Sequence, residues 1–488
     1  MSSSSSSQDN DNKSKSNDKP TTTTNKNNLV VVLTGPTAVG KSDVAARICA
    51  NHRGLIVSAD SVQAYQGVEI GANKPTPEER RETPHMLVDV VDNQDTNYNA
   101  AEWQRDALHV IAKLLLLQTT TTNDDDETET VHKATQQRQE MINQTILDAK
   151  RLKGYPDAEP VLPVVVGGTM MYLQWLVHGR PDAAKPSPQA VQKAHEIMTP
   201  FQQQEDWDGA VQHVQSQGPI FAQRITTLCG RDWYRLRRTL EIALTVQEQQ
   251  SDDNQQQQQQ QQQDDLIEKL FTGQRENSLE SYGYDVRCFF LCPDDRMAHT
   301  TLVDERCEAM ITRGLLRETT NLQLAGQLPD MAARAIGYRQ TLEYLQREGA
   351  KDDDEDAFQE YLNQFTTATR RYSKKQMQWF RKDDKFVFVP IVMEHEKATR
   401  VEAAAEAIQE MIRLPRSEYE QACFAEDSVS AKTMKDNEAQ GKGMKFYQFK
   451  RYHLKPGTAE LAKALEEADG CTQQIQAKRR ETVNVVEG

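Results

Sequence analysis

Two regimes of hydrophobic patterning divide the chain. In the first, short runs of consecutive apolar residues at Leu29 to Thr34, Leu55 to Val57, Met86 to Val91 and Val161 to Val166 alternate with segments of helical period at Lys41 to Asn51, Ala100 to Leu117 and Met170 to His178. Unbroken apolar runs mark strands buried on both faces, and strands separated by helices imply a parallel sheet covered on both sides. In the second regime helical period dominates, over 231–247, 294–325, 337–348, 356–381 and 394–413, with two further strands at Val286 to Leu291 and Phe386 to Val389.

Between the regimes, 180–230 has weaker helical patterning and is expected to form a small inserted helical domain. Two stretches interrupt the order. Residues 118–145 pass from a Thr run through an acidic run to Gln-rich sequence, and 248–280 contain an unbroken Gln run from Gln255 to Gln263. Neither has apolar periodicity, so both read as loop expansions. Residues 1–28 hold no apolar residue beyond Met1 and Pro20 and read as a disordered tail, because they cannot bury enough surface to offset the entropy of ordering. Residues 415–488 read as a polar tail. The expected division is therefore a catalytic core over 29–179, the insert over 180–230, and the rest of the core over 231–414.

Composition narrows the class. No run of 18 or more apolar residues is present, so no membrane span is predicted. The first residues are neither Arg-rich and amphipathic nor built around an apolar core, so neither an organellar nor a secretory leader is expected, and a cytoplasmic enzyme is. Cys49, Cys229, Cys288, Cys292, Cys307, Cys423 and Cys471 lack a metal-ligand cadence and read as reduced thiols. Past residue 415 only Cys423, His453 and Cys471 remain, so no zinc finger is expected. The formal charge of −15 argues against nucleic acid only superficially. Much of the acid sits in the runs Asp124 to Glu129 and Asp352 to Asp356, and phosphate binding depends on local patches.

The sharpest chemical signal follows the first strand directly. Gly35-Pro36-Thr37-Ala38-Val39-Gly40-Lys41-Ser42 is a full G-x-x-x-x-G-K-S loop opening a helix. Glycines let backbone N–H groups converge on phosphate oxygens, Lys41 supplies a point charge, the helix N-terminus adds its dipole, and Ser42 can ligate Mg²⁺. The expected fold is accordingly α/β: a P-loop NTPase-like parallel sheet with helices on both faces, an inserted small helical domain and a mainly helical C-terminal half. The second strand ends at Asp60, where ligands of open α/β sheets bind. A carboxylate there can hold Mg²⁺ through water, as in a kinase, or take a proton from a nucleophile; it can also simply cap a helix.

Seven motifs then occur in one register: the loop, Asp60-Ser61 through Tyr65, Ile70 to Pro75, Pro84-His85, Tyr98 to Ala101, Val166-Gly167-Gly168-Thr169 through Tyr172, and Ala335-Ile336-Gly337-Tyr338-Arg339-Gln340. In this order they resemble the tRNA dimethylallyltransferase family, over about 29–392. The resemblance implies transfer of a dimethylallyl group from dimethylallyl diphosphate to N6 of adenosine 37 in tRNA, with Mg²⁺; separately, a monomer is expected. It assigns the loop to the donor's diphosphate rather than to ATP, Asp60 to general base, Thr169 to the reacting centre and Arg306 to the diphosphate. Read on its own, Thr169 fits a helix N-cap equally well.

For RNA, residues 370–382 contain no acid, and Arg371, Lys374, Lys375 and Lys382 fall on one helical side opposite a stripe of Phe365, Ala368, Tyr372 and Trp379. A second basic cluster, Arg231 to Arg238, resembles the family's tRNA-touching segment, which implicates Tyr234, Arg235 and Arg238; the family's bacterial form differs at Trp233, Tyr234 and Arg237. The pocket for an extruded base is placed at Asp60, Ser61, Val62 and Gln63 and at Arg334, Gly337, Tyr338 and Arg339. Three other readings stay open: an adenylate isopentenyltransferase with the same donor, a P-loop small-molecule kinase, and a non-catalytic RNA-binding protein.

Overall fold

A computed structural model of the chain describes all residues except 1–27, 96–97, 118–128, 182–185, 227–230, 232, 251–274, 348–354 and 488. The N-terminal tail, the acidic runs, the Gln run and Cys229 therefore lie outside the described residues, wholly or nearly so.

Six strands form one sheet: β1 (Leu29–Thr34), β2 (Gly54–Ala59), β3 (His85–Met86), β4 (Leu162–Gly167), β7 (Asp285–Pro293) and β8 (Phe386–Ile391), in the order β3-β2-β4-β1-β7-β8. Every pairing in it is parallel. Alternate residues of each strand feed two cores, which is why the strands read as unbroken apolar runs. Val30, Val32, Leu55, Val57, Val165 and Phe290 face one core, closed by α3 (Ala100–Leu114), α5 (Met170–His178) and α14 (Glu355–Phe380). Val31, Leu33, Ile56, Val164, Phe289 and Leu291 face the other, closed by α1 (Lys41–His52) and α15 (Lys397–Arg413).

Several expected elements change. The run Met86 to Val91 yields only the two-residue β3, because Leu87 (φ 61°) and Asp89 (φ 58°) take left-handed backbone that ends the ladder. The helix expected over 294–325 splits into α10 (Arg296–Thr312) and α11 (Leu315–Leu324) at Gly314, whose φ of 105° an L side chain rarely adopts. The first supposed loop expansion is largely helical: α4 (Glu129–Lys153) buries Ile142, Ile146 and Ala149 against α3. Its Arg138 pairs with Asp106 and with Glu102, both at 2.6 Å. Part of the second expansion also has structure, since β6 (Arg275–Glu276) pairs with β5 (Arg180–Pro181).

The inserted helical unit comprises α6 (Pro188–Gln203), α7 (Trp207–Gln215) and α8 (Pro219–Thr226), and it also takes α9 (Trp233–Gln250), which sequence assigned to the core. Leu236, Leu240 and Leu244 of α9 pack with Ala190, Ala194 and Met198 of α6 and Ala210 and Val214 of α7. Smaller helices are α2 (Pro77–Glu82), α12 (Asp330–Ala333) and α13 (Tyr338–Leu345). The tail past residue 415 is ordered over most of its length as α16 (Arg416–Phe424), α17 (Val429–Gln440) and α18 (Ala459–Glu487). Leu461, Ala468, Cys471 and Ile475 of α18 join the first core.

Candidate active site

The carboxyl ends of three neighbouring strands carry the candidate chemistry. β1 leads into the phosphate loop, β2 into Asp60 and β4 into Gly168-Thr169. The ends are tied closely: Thr34 Oγ1 donates to Gly167 O at 2.8 Å, and the Thr169 N–H donates to Ala59 O at 3.3 Å. A Cβ at residue 167 would stand 2.1 Å from Ala59 O, so glycine is required there by this approach of β4 to β2. Gly40, with φ 96°, turns the phosphate loop into α1.

Within that frame Lys41 donates from Nζ to its own loop, to Gly35 O and Pro36 O at 3.0 Å each. Burial, and then the nearby Arg306 guanidinium, push the Lys41 ammonium down to about 7, while Asp60 pulls the other way. Arg306 lies on α10 with its own pKa lowered by burial, partly offset by Cys307 and Asp60. Asp60 anchors one carboxylate oxygen by accepting the N–H of Val62 at 2.9 Å and of Gln63 at 3.3 Å; it closes a turn, and no helix follows for it to cap. Thr169 does not cap α5 with its side chain; its Oγ1 accepts the Ser61 N–H at 3.1 Å and so ties the Gly-Gly-Thr turn to the Asp60 turn. Two cations, a carboxylate and a hydroxyl thus converge on the loop, an arrangement suited to a leaving diphosphate beside a proton acceptor.

A model of the IPP transferase family matches residues 63–120 and 147–383. The chain belongs to that family. Among curated relatives, tRNA dimethylallyltransferase 9 of Arabidopsis thaliana is 33% identical over 368 residues, covering 72% of this chain and 69% of the relative. A tRNA dimethylallyltransferase of Protochlamydia amoebophila is 27% identical over 367 residues, 75% of this chain and 84% of the relative. The solved tRNA isopentenylpyrophosphate transferase of Bacillus halodurans is a looser likeness, with 20% identity and a TM-score of 0.45, over 81% of this chain and 99% of that one. As an IPP transferase, the chain is an enzyme of prenyl transfer.

Sequence reasoning missed two side chains of this site. Gln376 of α14 accepts the Thr37 N–H at 3.0 Å and donates to Gly168 O at 3.0 Å, bridging the phosphate loop and the Gly-Gly-Thr turn. Its position in the basic run concealed it, since it faces inward while Arg371, Lys374 and Lys375 are exposed. His299 of α10 is buried and bonds Thr37 O through Nε2 at 2.9 Å; burial drives its pKa down to about 4, so the ring is neutral near pH 7 and donates there. Tyr372, of the stripe opposite the basic side, donates to Gly168 O at 2.9 Å.

The residues expected to form the base pocket separate into two kinds. Tyr338 is wholly buried, and its hydroxyl donates to Glu318, which also accepts the N–H groups of Ile70 and Gly71. A Cβ at residue 71 would sit 2.3 Å from the Tyr338 ring, so the two family motifs meet as a packing joint and the ring is not an RNA contact. Gly337 is likewise buried, its N–H on Gln340. Gln63 spends its amide on Ser58, Ala72 and Asn73. Arg334 and Arg339, by contrast, are exposed, as are Arg371 and Lys374 on α14. On α9 Arg235 is exposed and Arg238 lies 3.1 Å from Glu241; the Tyr234 side chain is outside the described residues.

Proposed function

We propose that the chain transfers a dimethylallyl group from dimethylallyl diphosphate to N6 of adenosine 37 in tRNA and releases diphosphate. The observation that carries this reading is the convergence of Lys41, Arg306, Asp60 and Thr169 at the ends of β1, β2 and β4. The N6 lone pair attacks the allylic C1, the C1–O bond breaks with its electrons going to diphosphate, and the N6 proton passes to Asp60. Lys41, recharged by the arriving anion, and Arg306 stabilise the charge that grows on the leaving group. Asp60 keeps one oxygen fixed on backbone N–H groups, which leaves the other for the amine. An exocyclic amine is a weak nucleophile, so alignment by the joined Asp60 and Thr169 turns contributes alongside proton removal.

A divalent cation, Mg²⁺ in this reading, would rest on the exposed Ser42 hydroxyl with donor phosphate oxygens completing its shell. No cluster of three His, Cys, Asp or Glu among the described residues could hold it alone, which fits a cation that arrives with its diphosphate. Bound there, it would neutralise phosphate charge. The names of the relatives favour tRNA over free adenylate as acceptor. The six thiols of the described residues are buried and unpaired, which suits a cytoplasmic site of action. Incubation with labelled dimethylallyl diphosphate and either tRNA or AMP tests the reading. Label in tRNA at A37 is expected, and label in AMP alone would overturn it.

A further inference from the structure

The segment joining α17 to α18, Gly441 to Thr458, carries Lys442, Lys445, Lys450, Arg451 and Lys455 and no Asp or Glu, in a chain of net charge −15. Aromatic residues interleave with these cations: Phe446, Tyr447, Phe449 and Tyr452. The inward side of this strap is fixed by Leu454, wholly buried in the first core, by Phe449 packed against that core, and by a set of polar contacts. Glu308 of α10 accepts the backbone N–H groups of Tyr452, His453 and Leu454, and Tyr447 donates its hydroxyl to Asp304 at 2.6 Å. Arg370 of α14 lies over the Tyr447 and Phe449 rings, at 5.6 and 5.8 Å.

Its outward side is left for something else. Lys442, Lys445, Lys450 and Lys455 are exposed, and they pair with no carboxylate among the described residues. Phe446 is 71% exposed, the largest fraction among the exposed bulky apolar side chains of the described residues. A cover for α10 and α14 would need neither an acid-free set of cations, which repel one another, nor a phenyl ring in water. Cations tracking a backbone with an aromatic face beside them are what single-stranded nucleic acid recognises.

The strap is also continuous with the basic face of α14. At about 100° per residue, Arg370 and Arg381 point to the strap side, Arg370 over its rings and Arg381 on Glu438 of α17 at 3.0 Å. Next around the helix come Lys374, Gln378, Arg371, Lys382 and Lys375, all exposed. Then comes Tyr372, on Gly168 O, where a Cβ would stand 3.9 Å from Lys41 Nζ. One basic surface therefore runs from the strap to the loop that holds the candidate chemistry.

We propose that the strap is a second tRNA contact, its four exposed lysines on backbone phosphates and Phe446 stacked on an unpaired base, beyond the contacts of α14. This rests on tRNA being the acceptor. The test uses the full chain with Lys442, Lys445, Lys450 and Lys455 all changed to Ala, the same four changed to Arg, and Phe446→Ala. Filter binding to tRNA across a salt series is measured alongside donor KM. The Ala set should bind about 10- to 100-fold more weakly near 0.1 M salt, with the slope of log K against log salt shallower by about 2 to 3. The Arg set should restore both, and donor KM should not move in any variant. Phe446→Ala should cost about tenfold with the slope unchanged, as expected for a lost stack. Parent-like binding and slope in the Ala set and in Phe446→Ala, with the parent still prenylating tRNA, would reduce the strap to a cover. A parent that prenylates AMP and does not bind tRNA would overturn the functional reading, and this inference with it.

Discussion

Glu308→Gln probes the joint on which the C-terminal segment hangs. Glu308 is wholly buried, and its oxygens accept Tyr452 N–H at 3.0 Å to each, His453 N–H at 2.6 Å and Leu454 N–H at 2.9 Å. Glutamine preserves the shape but turns one acceptor into an N–H₂ group facing donors. The surviving carbonyl can serve two of the three amides without charge assistance, and at least one amide loses its partner. A charge-assisted bond contributes about 1.5–3 kcal/mol and a neutral one about 1, while an orphaned buried donor costs about 1–3. Two bonds weakened by about 0.5–2 kcal/mol each and one orphaned amide come to roughly 2–7 kcal/mol against the attached strap, with the lower half favoured because the strap can lift and let water reach the amides. Hydrogen exchange reads that opening directly. At about 3 kcal/mol, peptides spanning 447–456 should lose roughly 10²-fold in protection, and peptides of β1 and β4 should lose none. Unchanged protection over 447–456 in a folded variant would refute the account of Glu308 as the anchor.

Further outcomes follow from the candidate site itself. The Lys41 pKa is lowered from 10.5 to about 7, so between those values the unfolded chain binds the extra proton and the lysine's contribution to stability rises with pH, the buried ammonium being a cost below the window. Calorimetry near pH 8.5 in buffers of different ionisation enthalpy should register uptake of roughly 0.5–1 proton on donor binding; no uptake would contradict a recharged Lys41. Gln376→Ala should lower kcat by about tenfold, the worth of a neutral hydrogen-bond pair, without raising donor KM, because the amide aligns the turn and occupies the Thr37 N–H. A raised donor KM with kcat intact would make Gln376 a donor ligand instead. Asp60→Asn should cut single-turnover transfer by roughly 10²–10⁴ with donor and tRNA still bound; recovery of the rate by added Mg²⁺ would sink the general-base assignment.

The sheet was legible because each of its long strands is buried on both faces and writes itself as a run of Val, Leu, Ile and Phe. The phosphate loop and Asp60 followed from their place after β1 and β2. What sequence could not separate was a polar residue used for chemistry from one used for joinery. Tyr338, Gly337 and Gln63 stand in family motifs beside Asp60 and Arg339, and only packing shows that Tyr338 closes against Gly71 and that the Gln63 amide is spent on Ser58, Ala72 and Asn73. Gln376 failed in the opposite sense. A basic helix was judged by its exposed face, and one residue turned inward on the same helix bonds both turns of the site.

The C-terminal segment was misread for a different reason. Its polarity was averaged over the whole length, whereas burial is decided face by face: α18 reaches the core through Leu461, Ala464, Ala468, Cys471 and Ile475, a stripe of period three and four made partly of small residues. The strap between α17 and α18 sends only Leu454 and, in part, Phe449 into the core, and its polar anchors are Asp304 and Glu308, both buried on α10. Those two carboxylates bracket Arg306 in sequence and lie on the side of the helix opposite to it, at about 100° per residue. The helix that carries the half-buried Arg306 toward the candidate phosphate loop is thereby pinned from behind by carboxylates bonded to a basic strap. No rule that scores hydrophobicity finds such an anchor, because both partners are polar. It becomes visible only when the acceptors of α10 are matched against the backbone donors of a segment about 145 residues further along the chain.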